Sequence, residues 1–161
     1  MADFKNKVVY QIYPKSFKDS NGDGIGDLRG VIDALDYLAD MGVDYLWLTP
    51  FFVSPQKDNG YDIADYLAID PHFGTMDDFD ALVKAADAKG LKIMLDMVLC
   101  HTSDQHAWFQ RALAGDADYQ RYYILRDGRN KKSADDPGEP PTNWQCAFGG
   151  SAWQWEPRLG K

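Results

Sequence analysis

Two cysteines in 161 residues, Cys100 and Cys146, are too few for a disulfide scaffold and lack the spacing of a thiolate metal site. Free thiols in a reducing compartment are the expected state. No window reaches the ~18 apolar residues that spanning a bilayer requires, and Met1 to Lys7 holds no apolar stretch of signal-peptide length, so a cytoplasmic chain is expected. Positive charge is scarce as well. Seventeen Lys and Arg against 25 Asp and Glu give a formal charge of -8, which repels phosphate backbones and anionic lipid. The nearest thing to a basic patch, Arg126 to Lys132, is diluted by Asp127, Gly128 and Asn130 and reads as a solvated loop. Nucleic acid and membrane are therefore not expected partners. Also missing are Gly-x-Ser-x-Gly, a phosphate-cradling Gly-x-x-x-x-Gly-Lys and a dinucleotide fingerprint after a strand, along with any internal repeat or low-complexity tract.

What is present is a core. With 45% apolar and 14% aromatic residues the chain can bury one respectable interior. Val8 to Tyr13 is β-branched and aromatic and is stopped by Pro14, which predicts a strand. Leu28, Val31, Ile32, Leu35, Leu38 and Met41 step by three and four, which predicts a helix ended by Gly42. Tyr45 to Leu48 is a second strand. Thr75 with Asp78 three residues on sets a helix start, and Phe79, Leu82, Val83 and Ala86 carry that helix to Gly90. Leu91 to Leu99 is a third strand. Strands alternating with helices, and more apolar than a half-exposed strand would be, predict a parallel α/β sheet covered by helices.

After His101 the pattern changes. His106 to Leu113 suits a short helix and Tyr119 to Leu125 an extended or helical aromatic segment. Arg126 to Pro141, with its four late Pro and Gly positions, suits an excursion from the sheet. Trp144, Phe148, Trp153 and Trp155 around Gly149-Gly150 make too much aromatic surface for a linker.

Two loops carry candidate chemistry. Asp19, Asn21, Asp23 and Asp27 place side-chain oxygens at positions 1, 3, 5 and 9 of an acidic, glycine-rich loop, with the Ile25 carbonyl at position 7, a plausible Ca²⁺ ligand set. An EF-hand would need Glu at position 12, where Gly30 stands, and a preceding helix, so the ligands resemble that loop while the frame does not. A metal-free acidic turn is the alternative. Asp58-Asn59-Gly60-Tyr61-Asp62 follows the second strand as Asp96 to His101 follows the third, and in a parallel sheet such loops gather on one rim with Gln11 to Tyr13. Carboxylates, an imidazole and an aromatic ring there suit a polyhydroxylated ligand. A plain Asn-Gly turn beside a core tyrosine is the other reading. Cys100 next to His101 is not a catalytic pair by adjacency, since strand neighbours point to opposite faces.

Gln11-Ile12-Tyr13-Pro14, the acidic loop ending Gly26-Asp27-Leu28, Trp47-Leu48-Thr49-Pro50, Asp58 to Asp62, and Asp96 with His101 together resemble the N-terminal part of an α-amylase superfamily (glycoside hydrolase family 13) enzyme. Within that family, Tyr13 to Phe17, Ser54-Pro55-Gln56, Asn143-Trp144 and Phe148 to Trp153 are most similar to trehalose-6-phosphate hydrolases, with oligo-1,6-glucosidases as neighbours. The resemblance implies about three β/α units of a (β/α)₈ barrel over residues 1–102 and a partial inserted domain over 103–161. It also implies a sugar or sugar-phosphate substrate, with Asp58 and His101 on glucosyl hydroxyls, Tyr61 stacked on the ring, Asp62 and Asp96 as supports, and Ca²⁺ held by Asp19, Asn21, Asp23, Ile25 and Asp27.

Two departures from the family follow. Cys100 stands where the family usually has Asn, and the family's catalytic carboxylates are expected beyond Lys161, leaving none in this chain. An isolated chain of this kind is expected to be inactive and to need the rest of the barrel or a second copy. The alternatives are an oligo-1,6-glucosidase-type fragment, a non-catalytic calcium-binding or interaction module, and an unrelated small α/β domain.

Overall fold

A computed structural model describes residues 4–161. The chain forms two compact units, one ending at His106 and one spanning Ala107–Lys161. In the first, β1 (Val9–Ile12) leads through a one-turn helix α1 (Pro14–Phe17) and the acidic loop to α2 (Leu28–Asp33) and α3 (Leu35–Asp40). Then come β2 (Tyr45–Leu48), a hairpin of β3 (Phe52–Val53) and β4 (Asp65–Ile69), α4 (Met76–Ala88) and β5 (Lys92–Leu95).

The sheet is parallel in the order β1-β2-β5, with Val9 level with Tyr45 and Lys92, and Ile12 level with Leu48 and Leu95. As the middle strand, β2 contributes Leu46 and Leu48, both fully buried. They join Ile12, Leu28, Val31, Leu35, Leu38, Leu82 and Ala86 in one apolar cluster. The helical stripe predicted from Leu28 to Met41 is present, but it is delivered by two helices. Ala34, at φ -101° and ψ 1°, breaks the chain between them with a tight bond from its N–H to Val31 O. Leu28, Val31, Leu35 and Leu38 are buried on both sides of the break, so packing of the stripe survives it.

The start of α4 forms as its sequence predicts. Thr75 accepts from the Asp78 N–H and Asp78 accepts from the Thr75 N–H, a reciprocal capping box. The same carboxylate receives Arg29 Nε of α2 at 2.5 Å, so one side chain caps one helix and ties it to another. The Thr75 hydroxyl bond, with the arginine beside it, holds the Asp78 carboxyl below the usual carboxylate range.

In three further places the sheet unit differs from the sequence reading. The third strand stops at Leu95, Asp96 makes one last ladder bond through its N–H, and Met97 to Leu99 leave the ladder with Val98 buried and Met97 and Leu99 exposed. An apolar run alone does not mark where pairing ends. The β3–β4 hairpin falls between strands two and three, where no strand was read, because β3 is only two residues long and β4 opens on an aspartate. Pro14, read only as a strand stop, also begins α1, where its fixed φ suits a first helical turn.

In the second unit α5 (Ala107–Leu113) and α6 (Ala117–Gln120) are followed by irregular chain. The aromatic stretch is helical only to Gln120. Arg129 and Glu139 bridge antiparallel with two N–H···O bonds of 2.9 Å. Gln145 and Ser151 bridge another turn, across which the rings of Trp144 and Trp153 stack with centroids 6.0 Å apart.

Leu46→Ala empties the centre of the sheet unit and is expected to cost about 2–5 kcal/mol in urea unfolding. Thr75→Ala removes one half of the capping box and is expected to cost about 1 kcal/mol, with β-sheet structure retained.

Candidate functional site

Register builds the rim. Beyond the strand ends the ladder runs on one step, Thr49 N–H to Ile12 O at 3.0 Å and Asp96 N–H to Leu48 O at 3.1 Å, which fixes Tyr13, Thr49 and Asp96 at one level. Tyr13 and Asp96 then engage the loop that follows β2. Tyr13 Oη donates to Asn59 O at 3.2 Å, and Tyr61 Oη donates to Asp96 Oδ2 at 3.0 Å.

The loop itself is over-determined. Asn59 has φ 51°, and Gly60 at φ 97° lies so close to Pro50 that a side chain would meet the Pro50 carbonyl oxygen at 2.9 Å. Asp62 closes it from inside. Its carboxylate accepts from Ser54 Oγ at 2.7 Å, from the Lys57 N–H at 2.9 Å and from the Asp58 N–H at 3.1 Å. Burial raises the Asp62 carboxyl, but these three bonds together with its own backbone N–H outweigh it and hold the group below the ordinary carboxylate range. Asp58 is thus carried at the loop's start, near enough to Tyr13 and Tyr61 for its charge to raise both phenols, in each case after the larger effect of burial. In Tyr61 the Asp96 bond adds to burial, and the phenol is pushed up to about 12.

His101 is drawn to the same loop. Its Nε2 lies 2.8 Å from Tyr61 O and its Nδ1 3.2 Å from Cys100 Sγ. A carbonyl can only accept, so Nε2 carries a proton and donates it to Tyr61 O. The alternation argument that set these two side chains apart does not apply, because residues 100 and 101 are off the strand. Asp58, Tyr61, Asp62, Asp96 and His101 are therefore gathered at one rim, the first four through Asp62's bonds and the Tyr61–Asp96 pair, and His101 through the Tyr61 carbonyl.

Tyr66 is the residue that the sequence reading missed. From β4 its hydroxyl lies 2.6 Å from Val98 O and 2.8 Å from His101 O, so one phenol clamps the segment that presents His101. Its only sequence signal was alternation in Asp65 to Ile69, too short to stand out. Two polar groups nearby lack partners among the described residues: Thr49 Oγ1 and the side-chain amide of Gln56, both buried.

The acidic loop satisfies itself. Asp19 accepts from the N–H groups of Asn21, Gly22 and Gly24, Asn21 from Asp23, and Asp23 from Ile25, all within 2.7–3.0 Å. The Gly24 and Gly22 N–H bonds lead in holding the Asp19 carboxyl below its ordinary value. Asp27 caps α2 through Gly30 N–H at 2.6 Å and receives Ser20 of the loop on its other oxygen. Among the described residues no three His, Cys, Asp or Glu side chains form a metal-holding group. A cation here would draw on the Asn21 amide and the Ile25 carbonyl as well as carboxylates. Nor, among the described residues, is any helix long and apolar enough to cross a membrane.

A family model, "Alpha amylase, catalytic domain", matches residues 11–161. The trehalose-6-phosphate hydrolase of Escherichia coli (strain K12) is 59% identical over 94% of this chain. The oligo-1,6-glucosidase of Bacillus cereus is 51% identical over 95%. Among solved structures, Bacillus licheniformis trehalose-6-phosphate hydrolase matches with a TM-score of 0.89 at 48% identity over 98% of the chain. The chain spans 26% of the length of either curated relative and 27% of the solved one.

Removing the Tyr66 hydroxyl with Tyr66→Phe is expected to speed amide exchange over residues 98–101 and to move the His101 ring resonances, at a stability cost of about 1 kcal/mol. Unchanged exchange there would contradict the clamp. The rim also sets two ends of a pH profile. Tyr61 ionises higher when folded than its ordinary 10.0, so its contribution is whole below that value and is lost as pH climbs toward about 12. For Asp62, whose folded value is depressed, the contribution is whole above the ordinary 3.8 and is lost as pH falls through the lower folded value. Urea midpoints across pH are expected to show both limbs, with Tyr61→Phe flattening the alkaline one.

Proposed function

The chain belongs to the α-amylase catalytic-domain family, and on that premise we propose that it is the sugar-binding portion of a retaining α-glucosidase acting on trehalose 6-phosphate. Its sheet is part of a (β/α)₈ barrel, as in the glycoside hydrolases it resembles. In this reading Asp58 and His101 hold hydroxyls of a terminal glucosyl unit, Tyr61 offers its ring face, and Asp96 and Asp62 keep the pocket in shape. The observation that carries it is the Tyr61 hub, whose hydroxyl is fixed by Asp96 and whose carbonyl fixes the His101 imidazole. Hydrolysis would release glucose and glucose 6-phosphate with retention, by a carboxylate nucleophile and a carboxyl acid/base roughly 5 to 5.5 Å apart.

That catalytic pair lies outside these 161 residues in our reading, so the isolated chain binds but does not hydrolyse. Among the described residues, the open edge of β5 and the Thr49 and Gln56 groups without partners support completion by further barrel strands or by a second copy. The free cysteines support a reducing, cytoplasmic setting. Asp19, Asn21, Asp23, the Ile25 carbonyl and Asp27 are proposed to hold Ca²⁺. Their ionised and amide oxygens suit a hard cation, which would tighten a loop whose backbone is already turned by the same side chains.

Purified chain, freed of host enzymes, is expected to release no glucose from trehalose 6-phosphate, while the sugar phosphate shifts the Tyr61 and His101 resonances. Glucose release would refute the division of labour, and unmoved resonances would refute the pocket. Preference for isomaltose over trehalose 6-phosphate in the barrel-completed protein would move the assignment to the oligo-1,6-glucosidase reading that the Bacillus cereus relative supports. Calcium at a hundredfold excess over its Kd is expected to add ~2.7 kcal/mol to stability, reversed by chelator. No change in the melting temperature would remove Ca²⁺ from the account.

A further inference from the structure

The chain contains two Asn-Gly pairs in loops, Asn21-Gly22 with both residues exposed and Asn59-Gly60 with the asparagine exposed and the glycine buried, and the bonding of their reacting atoms differs. The reaction needs the glycine nitrogen as nucleophile and the asparagine Cγ as electrophile. At the first pair the nucleophile is pinned: Gly22 N–H donates to the Asp19 carboxylate at 2.7 Å, and an N–H held against a negative charge resists deprotonation. The Asn21 amide oxygen is meanwhile occupied by the Asp23 N–H at 2.9 Å.

At the second pair the nucleophile is unpinned, and the donor on the amide oxygen is a full cation instead of a backbone N–H. Gly60 N–H makes no hydrogen bond among the described residues. Asn59 is exposed, and its Oδ1 receives the Lys15 ammonium at 3.3 Å. That cation has no carboxylate within ion-pair distance among the described residues, so its charge is directed at the amide. A positive charge on Oδ1 draws electrons from Cγ and stabilises the oxyanion formed when the carbon is attacked.

From this geometry we propose that Asn59-Gly60 is a self-modification site, deamidating selectively over Asn21-Gly22 with Lys15 as the group that activates it. Gly60 N gives up its proton to solvent base and forms a bond to Asn59 Cγ. Nδ2 takes a proton back from the protonated base, the Cγ–Nδ2 bond breaks, ammonia leaves, and a cyclic imide closes. Water then opens the imide at either carbonyl, giving aspartate or isoaspartate at position 59, with no oxidant or reductant involved. Either product sets a new carboxylate opposite Lys15 and next in sequence to Asp58. The isoaspartate also adds a methylene to the main chain ahead of Gly60, where the Pro50 carbonyl leaves no spare room. The Tyr13 bond to Asn59 O is the first contact to be displaced. This inference is independent of which sugar, if any, the rim binds.

Peptide mapping with isoaspartate detection, on the folded full chain held at mildly alkaline pH, tests it. Asn59 is expected to convert several-fold faster than Asn21, and the difference is expected to vanish in concentrated urea. Lys15→Met should slow Asn59 several-fold and leave Asn21 unchanged, whereas Lys15→Arg, which keeps the charge, should retain most of the rate. Equal conversion at the two sites in the folded chain, or an Asn59 rate indifferent to both Lys15 variants, would overturn the proposal. The comparison of the two sites in unsubstituted chain stands even if a variant misfolds.

Discussion

Everything at the rim depends on the in-register parallel ladder of β1, β2 and β5. Three strands with level ends deliver three chain exits to one height, and a parallel arrangement makes those exits the carboxyl ends of all three. Leu46 and Leu48 keep β2 buried, so the register cannot slip by one without turning both leucines out of the core. Tyr13 and Asp96 thereby arrive on either side of the Asp58–Asp62 loop, where each needs only one hydrogen bond to hold it.

Precision is then added by short-range bonds of a different kind. Asp62 ties the loop to itself through one hydroxyl and two backbone N–H groups, Tyr61 ties it to β5's exit, and Tyr66 ties that exit to the hairpin. Carboxylate and phenol are used in complementary states: Asp62 is held ionised, Tyr61 held protonated. The rim thus keeps donors and acceptors in fixed roles across neutral pH, which a site for hydroxyl-rich ligands requires.

Much of this was legible in the sequence, and the reasons for the rest are local. Strand β2, with Pro50 shortly after it, and the Thr75/Asp78 cap are encoded in short contiguous patterns, so they could be read off directly. The motif residues at the rim were legible because each falls just after a strand. Ala34's break was hidden because apolar spacing is the same in one bent helix as in two. The end of β5 was hidden because Met97 and Leu99 are as apolar as strand residues although they face solvent. Tyr66 was hidden because its role depends on carbonyls more than thirty residues away in sequence. The Cys100–His101 contact was hidden for another reason: alternation holds only while the chain stays in the ladder.

The distribution of tryptophan has an optical consequence. Trp47 on β2 is the only indole in the unit that ends at His106, while Trp108, Trp144, Trp153 and Trp155 all belong to Ala107–Lys161. Intrinsic fluorescence is therefore weighted toward the second unit. There, the near-parallel Trp144 and Trp153 rings, 19° apart in plane, form a chromophore pair close enough for exciton coupling in the ultraviolet. The sheet unit holds six of the nine tyrosines, Tyr10, Tyr13, Tyr37, Tyr45, Tyr61 and Tyr66, and all five strands, so tyrosine absorbance and far-ultraviolet ellipticity are weighted toward it. The two units thus carry differently weighted spectroscopic labels by composition, so unfolding traces read by indole fluorescence and by ellipticity sample them in different proportions.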